Sequence, residues 1–93
     1  MPEEHSSFVL PPVMKAEDCV SLHKDLSRQP DLPVSLDASG VERLGGQTVQ
    51  VIVAHIRLRS MRDINMVISA PSPAFLATFA TLGLTQVVQD AMQ

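Results

Sequence analysis

The chain contains no Trp and no Tyr, and Phe8, Phe75 and Phe79 are its only aromatic residues. Single-strand nucleic-acid binders stack bases on aromatic platforms, so this composition argues against that class. A basic block is missing too. The formal net charge is −3, and the one close group of cations, Arg57, Arg59 and Arg62, is followed at once by Asp63. A phosphate backbone is repelled on average by such a chain, and no nucleic-acid partner is expected. The single cysteine, Cys19, cannot close an internal disulfide, which fits a reducing compartment. The longest mostly apolar stretch, Val49 to Ile56, is too short to span a bilayer, and the acidic start Met1-Pro2-Glu3-Glu4 does not read as a signal peptide. These absences point to a cytoplasmic protein with no direct membrane insertion.

With 93 residues, 45% of them apolar, the chain is long enough for one domain and one modest core. It has little surface to spare for a deep substrate pocket. The polar segment 1–7 reads as a tail, and 8–93 as the domain.

Phe8 to Leu10 reads as a short strand stopped by Pro11-Pro12. Met14 to Gln29 reads as a helix with Cys19, Leu22 and Leu26 on one face, Ala16 and Val20 beside it, and Pro30 and Pro33 closing it. Val34 to Leu36 is a strand, and Asp37-Ala38-Ser39-Gly40 a turn by composition. Gly45-Gly46 opens a helix over Gln47 to Met61, and Ile64 to Ser69 is a strand with Met66 and Ile68 on one side. Ser72 is placed to cap the next helix, with Pro73 at its first position. Phe75, Phe79 and Leu82 fall on one face of that helix, and Gly83 suits a left-handed cap with Leu84 folding back. Thr85 to Met92 reads as a strand, a helix, or one running into the other. Strands alternating with helices imply a largely parallel α/β sheet.

No catalytic constellation emerges. Cys19 and His23 have helical metal-ligand spacing, but two ligands do not close a site, and neither His5 nor His55 has a sequence reason to join them. The same lack of partners argues against a Cys-His nucleophile. No phosphate-binding glycine loop with Lys is present. Gly45-Gly46-Gln47 repeats a tripeptide of translation release factors without their basic surroundings. Asp37, at a strand end, lacks a second acid or a base nearby in sequence and reads as a turn residue. No metal and no cofactor are expected.

Several segments resemble a known family in their order and spacing. Val34-Ser35-Leu36-Asp37-Ala38-Ser39-Gly40-Val41 is an apolar strand with an Asp-x-Ser exit, Glu42-Arg43-Leu44 is a short loop, and a helix runs from Val49 onward. Ser72-Pro73-Ala74-Phe75 and Leu82-Gly83-Leu84 follow. From Phe8 to Val88 the chain resembles the STAS family. Its anti-sigma-factor antagonists open the second helix with Asp-Ser-Ser-Gly-Leu and end the closing helix on a Leu-Gly-Leu-like turn. The resemblance implies an α/β fold: a single STAS-like domain on a mixed, mostly parallel sheet of about four strands, with helices packed on it. It also implies a protein-binding regulatory module of bacterial signal transduction and no enzyme activity.

One departure bears on mechanism. Aligned from Asp37, the chain reads Gly45-Gly46-Gln47-Thr48-Val49 at the family's switch, so Gln47 stands where the phosphorylated Ser would be. Glutamine has no hydroxyl to accept a phosphoryl group, and the usual switch is lost at that position. Thr48, one place on, is a candidate phosphosite because a phosphate there would meet free N–H groups and the positive end of the helix dipole. Its simpler role is a solvent-facing residue. Ser39 lies in the preceding turn, where bonding the backbone is the simpler role. The Leu44-Gly45-Gly46-Gln47 run looks like the short STAS proteins associated with chemotaxis operons. The partner implied is a histidine-kinase-type protein. An anti-sigma factor, or a lipid-transport ATPase served by an accessory subunit, are alternatives from the same family. A homodimer is compatible with either.

The helix over Gln47 to Met61 has two apolar lines. At about 100° per residue, Val49, Ile52, Val53, Ile56 and Ser60 share one face, which should lie on the sheet. Gln47, Val51, Ala54, Leu58 and Met61 lie roughly opposite, with His55, Arg57 and Arg59 on the flanks. Either the helix over Met14 to Gln29 covers this second line or a partner does. STAS proteins engage partners through this helix and the loop before it. The resemblance therefore names Glu42, Arg43, Gly45, Gly46, Gln47, Gln50, Val51, Ala54 and Leu58 as partner-binding residues.

Overall fold

The computed structural model describes residues 6–28 and 32–92. The elements run β1 (Ser6–Val9), α1 (Ala16–Arg28), β2 (Val34–Asp37), α2 (Gly46–Ser60), β3 (Met66–Ser69), α3 (Pro73–Thr81) and α4 (Thr85–Ala91). The strands form one sheet in the order β1-β2-β3, and both pairings are parallel. In register, Phe8 stands beside Leu36 and Leu36 beside Ile68. Met92 adds a single parallel bridge next to Ile68, so the fourth strand expected from the sequence is reduced to one residue after α4. This is a single α/β domain with helices packed on a parallel sheet, as the resemblance implied.

Side chains alternate along the sheet. Val34, Leu36, Met66 and Ile68 are buried, while Ser35, Asp37, Val67 and Ser69 are half-buried. The buried face joins Leu22 and Leu26 of α1, Val49, Ile52 and Val53 of α2, and Phe75 and Phe79 of α3 in one core. Strand order follows chain order, so two crossovers of the same hand place α1 and α2 on the same face, where they pack against each other.

Local signals account for the helix ends. Glu17 and Asp18 sit in the first turn of α1 and Arg28 in its last, complementing the helix dipole. The Lys15 N–H donates to the Asp18 carboxylate at 2.9 Å, as in one half of a capping box. The Ser72 hydroxyl accepts the Phe75 N–H at 3.1 Å, and Pro73 opens α3. Gly83 takes φ +73°, and the Leu84 N–H returns to the Phe79 carbonyl at 2.8 Å.

Several expectations need correction. β1 begins at Ser6, so Ser6 and Ser7, read as tail, pair with Val34 and Ser35. Val20 is exposed, and so is Leu82, at 50%, because α3 ends before Leu82 and the chain turns through Gly83 there. On α2, Ile56 is only half-buried and Ser60 is exposed. Gln29 and Pro30, expected to end the first helix, lie outside the described residues, as does His5.

Candidate protein-binding face

The segment from Ala38 to Gly45 is held from two sides. The Glu42 and Arg43 N–H groups both donate to the Pro12 carbonyl, at 2.7 and 3.0 Å, and the Met14 N–H donates to the Arg43 carbonyl at 3.2 Å. From the other side, the Ser72 N–H donates to the Ala38 carbonyl at 3.1 Å and the Ser72 hydroxyl to the Val41 carbonyl at 2.6 Å. Val41 and Leu44 anchor the segment in the core, while Glu42 and Arg43 point outward. Ser72 was legible as a helix cap. Its second bond, which ties this loop to α3 across 31 residues, had no sequence signal.

The turn before the loop closes on itself. The Asp37 carboxylate accepts the Ser39 N–H at 3.0 Å and its hydroxyl at 2.7 Å. These donors, the hydroxyl first, hold the Asp37 carboxyl below its ordinary value of 3.8. Ser39 is thus exposed and engaged with the Asp37 side chain.

α2 starts at Gly46 with Gly45 as N-cap, and no side chain caps it. Gly45, Gly46 and Gln47 are exposed. A Cβ added at Gly45 or Gly46 would meet no atom within 4 Å, and neither residue has a positive φ. Neither packing nor backbone conformation therefore requires glycine at either position, although glycine is a favoured N-cap residue at Gly45. Thr48 is only 2% exposed, which corrects the solvent-facing reading of that residue. The exposed stripe of α2 consists of Gln47, Gln50, Ala54, Leu58 and Met61. Val51 is half-buried against the core. Leu58 is 57% and Met61 84% exposed, so α1 does not cover this line.

α1 instead meets a polar line that the sequence reading left on the flank. His55 and Arg59 are buried, at 5% and 2% exposure. With Thr48 and Ile52 they form an i, i+4, i+7, i+11 stripe beside the sheet-facing one. Arg59 donates through Nε to the Leu32 carbonyl at 3.2 Å and through Nη2 to the Leu26 carbonyl at 3.1 Å. His55 Nε2 lies 3.0 Å from His23 Nδ1. The histidine left without a reason to approach His23 is its direct neighbour, because the α1–α2 packing brings them together across 32 residues. No group of three or more His, Cys, Asp or Glu among the described residues is placed to hold a metal ion. No helix among them is long and apolar enough to cross a membrane.

The family model described as "Mlab, STAS domain" matches residues 9–89. The chain belongs to the STAS domain family. STAS domains are regulatory modules, generally without catalytic activity, that typically mediate protein–protein interactions. No curated protein and no solved structure matches the chain.

If Gln47 stands at the family's phosphorylated Ser, as the resemblance implies, one consequence is testable. Incubated with an anti-sigma kinase and ATP, the protein should carry no phosphate between Leu44 and Val49. Peptide mass spectrometry checks this, and stoichiometric phospho-Thr48 would contradict it. Burial adds a second obstacle at Thr48, since its hydroxyl must leave the core before a kinase can reach it.

Proposed function

We propose that this chain is a non-enzymatic, constitutive protein-binding module of bacterial signal transduction, acting in the cytoplasm on a histidine-kinase-type protein of the chemotaxis kind. Its binding face comprises Glu42, Arg43, Gly45, Gly46, Gln47, Gln50, Val51, Ala54 and Leu58. One observation carries the reading: at the bare start of α2, two exposed glycines are present that neither packing nor backbone conformation requires. Glycine suits the N-cap at Gly45, but at Gly46, inside the helix, it lowers stability by up to about 0.5–1 kcal/mol relative to alanine, and both leave the backbone open to close approach. A partner backbone lying against Gly45-Gly46 accounts for both. The loop pinned by Pro12 and Ser72 keeps that surface ordered before binding, which lowers the entropy lost on association. The kinase class rests on the likeness of Leu44-Gly45-Gly46-Gln47 to the chemotaxis-associated branch.

A second reading, an accessory subunit of a lipid-transport ATPase, stands beside it because other short STAS proteins resembling this chain do that job. The two separate in one experiment. The tagged protein is used to capture partners from its own cell lysate, beside Gly46→Ala. The alanine variant should melt at the same temperature or slightly higher, by up to about 1 kcal/mol of stability. It should recover at least several-fold less of the partner. Recovery of a histidine kinase supports the first reading and of a transport ATPase the second. Equal recovery by wild type and Gly46→Ala would remove the glycines from the binding face.

A further inference from the structure

Arg57 shares the exposed side of α2, although its place in the sequence put it on the flank. Gln47, Gln50, Ala54, Arg57, Leu58 and Met61 are all exposed, and at about 100° per residue they span an arc of about 100°. Within that arc Gln47, Gln50, Ala54, Arg57 and Met61 follow one another at intervals of 3, 4, 3 and 4 residues. This is the spacing of the seam along which one helix packs on another at a shallow angle. From Gln47 to Met61 the seam runs for about 21 Å at 1.5 Å per residue. Its middle residue, Ala54, is small enough to let a second helix come close, and the exposed Leu58 flanks it. An extended segment has less to hold here, because the peptide groups of a helix interior are already bonded to one another and offer no ladder.

The charge along this seam has one sign. α2 contains no Asp or Glu anywhere in its length. The Arg57 side chain makes no hydrogen bond or ion pair among the described residues. The nearest acids in sequence lie beyond the two ends of the helix. Glu42 is in the preceding loop, beside Arg43, and Asp63 lines a hollow with Ile56 and Ser60, on the flank away from Leu58. An uncovered guanidinium keeps its water. Once a partner covers the seam, that water is lost, and the cost is high unless a carboxylate takes its place. A second copy of α2 brings no carboxylate, so the charge calls for a different chain.

We infer that the partner lays an amphipathic helix along this seam, with apolar side chains against Ala54, Leu58 and Met61 and an Asp or Glu paired with Arg57. The occupant rests on the binding face assigned above, to which it adds Arg57 and Met61. Arg57 becomes the residue that discriminates between partners. It favours a helix with an acid at the matching position and rejects one with a cation there, because like charges would be desolvated together. Gln47 and Gln50 keep the other half of the seam polar, which fixes the register in which the apolar residues meet.

The test uses the full chain in its own cells, carrying Met61→p-benzoylphenylalanine, a photoreactive residue at a site 84% exposed. Irradiation joins position 61 to whatever lies against it, and mass spectrometry of the joined peptides identifies the partner segment. That segment should form an amphipathic helix, with an Asp or Glu about one turn from the joined residue, as Arg57 is one turn from Met61. Titrations against the purified partner then test the pairing. Arg57→Glu should stay folded and bind at least about tenfold more weakly, with Arg57→Lys losing less. Exchanging the partner's acid for Lys should weaken binding to wild type and restore binding to Arg57→Glu, which a merely structural role for Arg57 would not produce. A joined segment that is extended or lacks the acid, a joined second copy of this chain, or undiminished binding by Arg57→Glu would overturn the inference. So would the absence of any joined product. If partner capture still depends on Gly46 in that case, the binding face stands and only its occupant is wrong; if capture fails as well, the face falls with it.

Discussion

Phe79→Ala should lower stability by about 3–5 kcal/mol, a large part of the roughly 5–15 kcal/mol that holds a domain folded. Phe79 is 0% exposed and stacks on Phe75, with ring centroids 4.7 Å apart. With three aromatic residues in the whole chain, no other large ring is at hand to refill the space. The cavity opens where α3 meets the core. At about 4–8 °C per kcal/mol for a domain this size, the melting temperature should fall by more than about 10 °C. Circular dichroism melts measure this directly. Leu82→Ala is the control, since Leu82 is 50% exposed and its loss should cost less than about 1 kcal/mol. A melting temperature unchanged by Phe79→Ala would mean that α3 does not pack on the sheet through this face.

The contrast between Phe79 and Leu82 marks where sequence reading succeeds and where it stops. Spacing put Phe75, Phe79 and Leu82 on one face, which holds while the helix lasts. α3 ends at Thr81, and the backbone then turns through Gly83, carrying Leu82 outward. The glycine was legible as a cap, but its effect on the preceding side chain was not. Elements with a backbone reason in their own sequence, such as Ser72-Pro73 at the start of α3, were placed to the residue. Thr85 to Met92 has no comparable signal, and its packing on α3 and β3 accompanies a helix followed by one bridged residue.

α2 shows the same limit in its side chains. Period alone recovered the apolar line Val49, Ile52 and Val53, because apolar residues announce burial. It missed His55 and Arg59, because a buried arginine is indistinguishable in sequence from an exposed one. Burying that charge is costly unless acceptors are supplied. Here they are the carbonyls of Leu26 and Leu32, 33 and 27 residues away along the chain. The spacing Thr48, Ile52, His55, Arg59 was present to be read, but a mixed polar line gives a weak moment. The candidate loop was legible through the family resemblance, while its tethers to Pro12 and Ser72 are properties of the fold alone.

Leu58→Asp and Val53→Asp, made side by side on α2, should have opposite consequences. Leu58 is 57% exposed, whereas Val53 is 7% exposed and part of the core. Both substitutions move the net charge from −3 to −4 and place the same residue in the same helix, mid-helix at position 53 and in the last turn at position 58. The charge change is the same, helix propensity and the helix dipole differ between the two sites by about 1 kcal/mol at most, and burial is the dominant difference. A carboxylate at position 53 loses its hydration with no partner in view, a cost of several kcal/mol that a domain of this size cannot absorb, and Val53→Asp should unfold. At position 58 the carboxylate keeps its water, because Leu58 is 57% exposed. Leu58→Asp should stay folded and lower stability by no more than about 1–1.5 kcal/mol, the sum of lost helix propensity and a carboxylate near the helix C-terminus. If a partner covers Ala54 and Leu58, the carboxylate must be stripped of water inside an apolar contact. Binding should then weaken at least about tenfold, about 1.4 kcal/mol. Thermal melts and calorimetric titration against the captured partner measure the two effects separately. An unfolded Leu58→Asp would show that the outer line of α2 is covered within the monomer. A folded Leu58→Asp that binds as tightly as wild type would move the interface off the helix and onto the loop from Glu42 to Gln47.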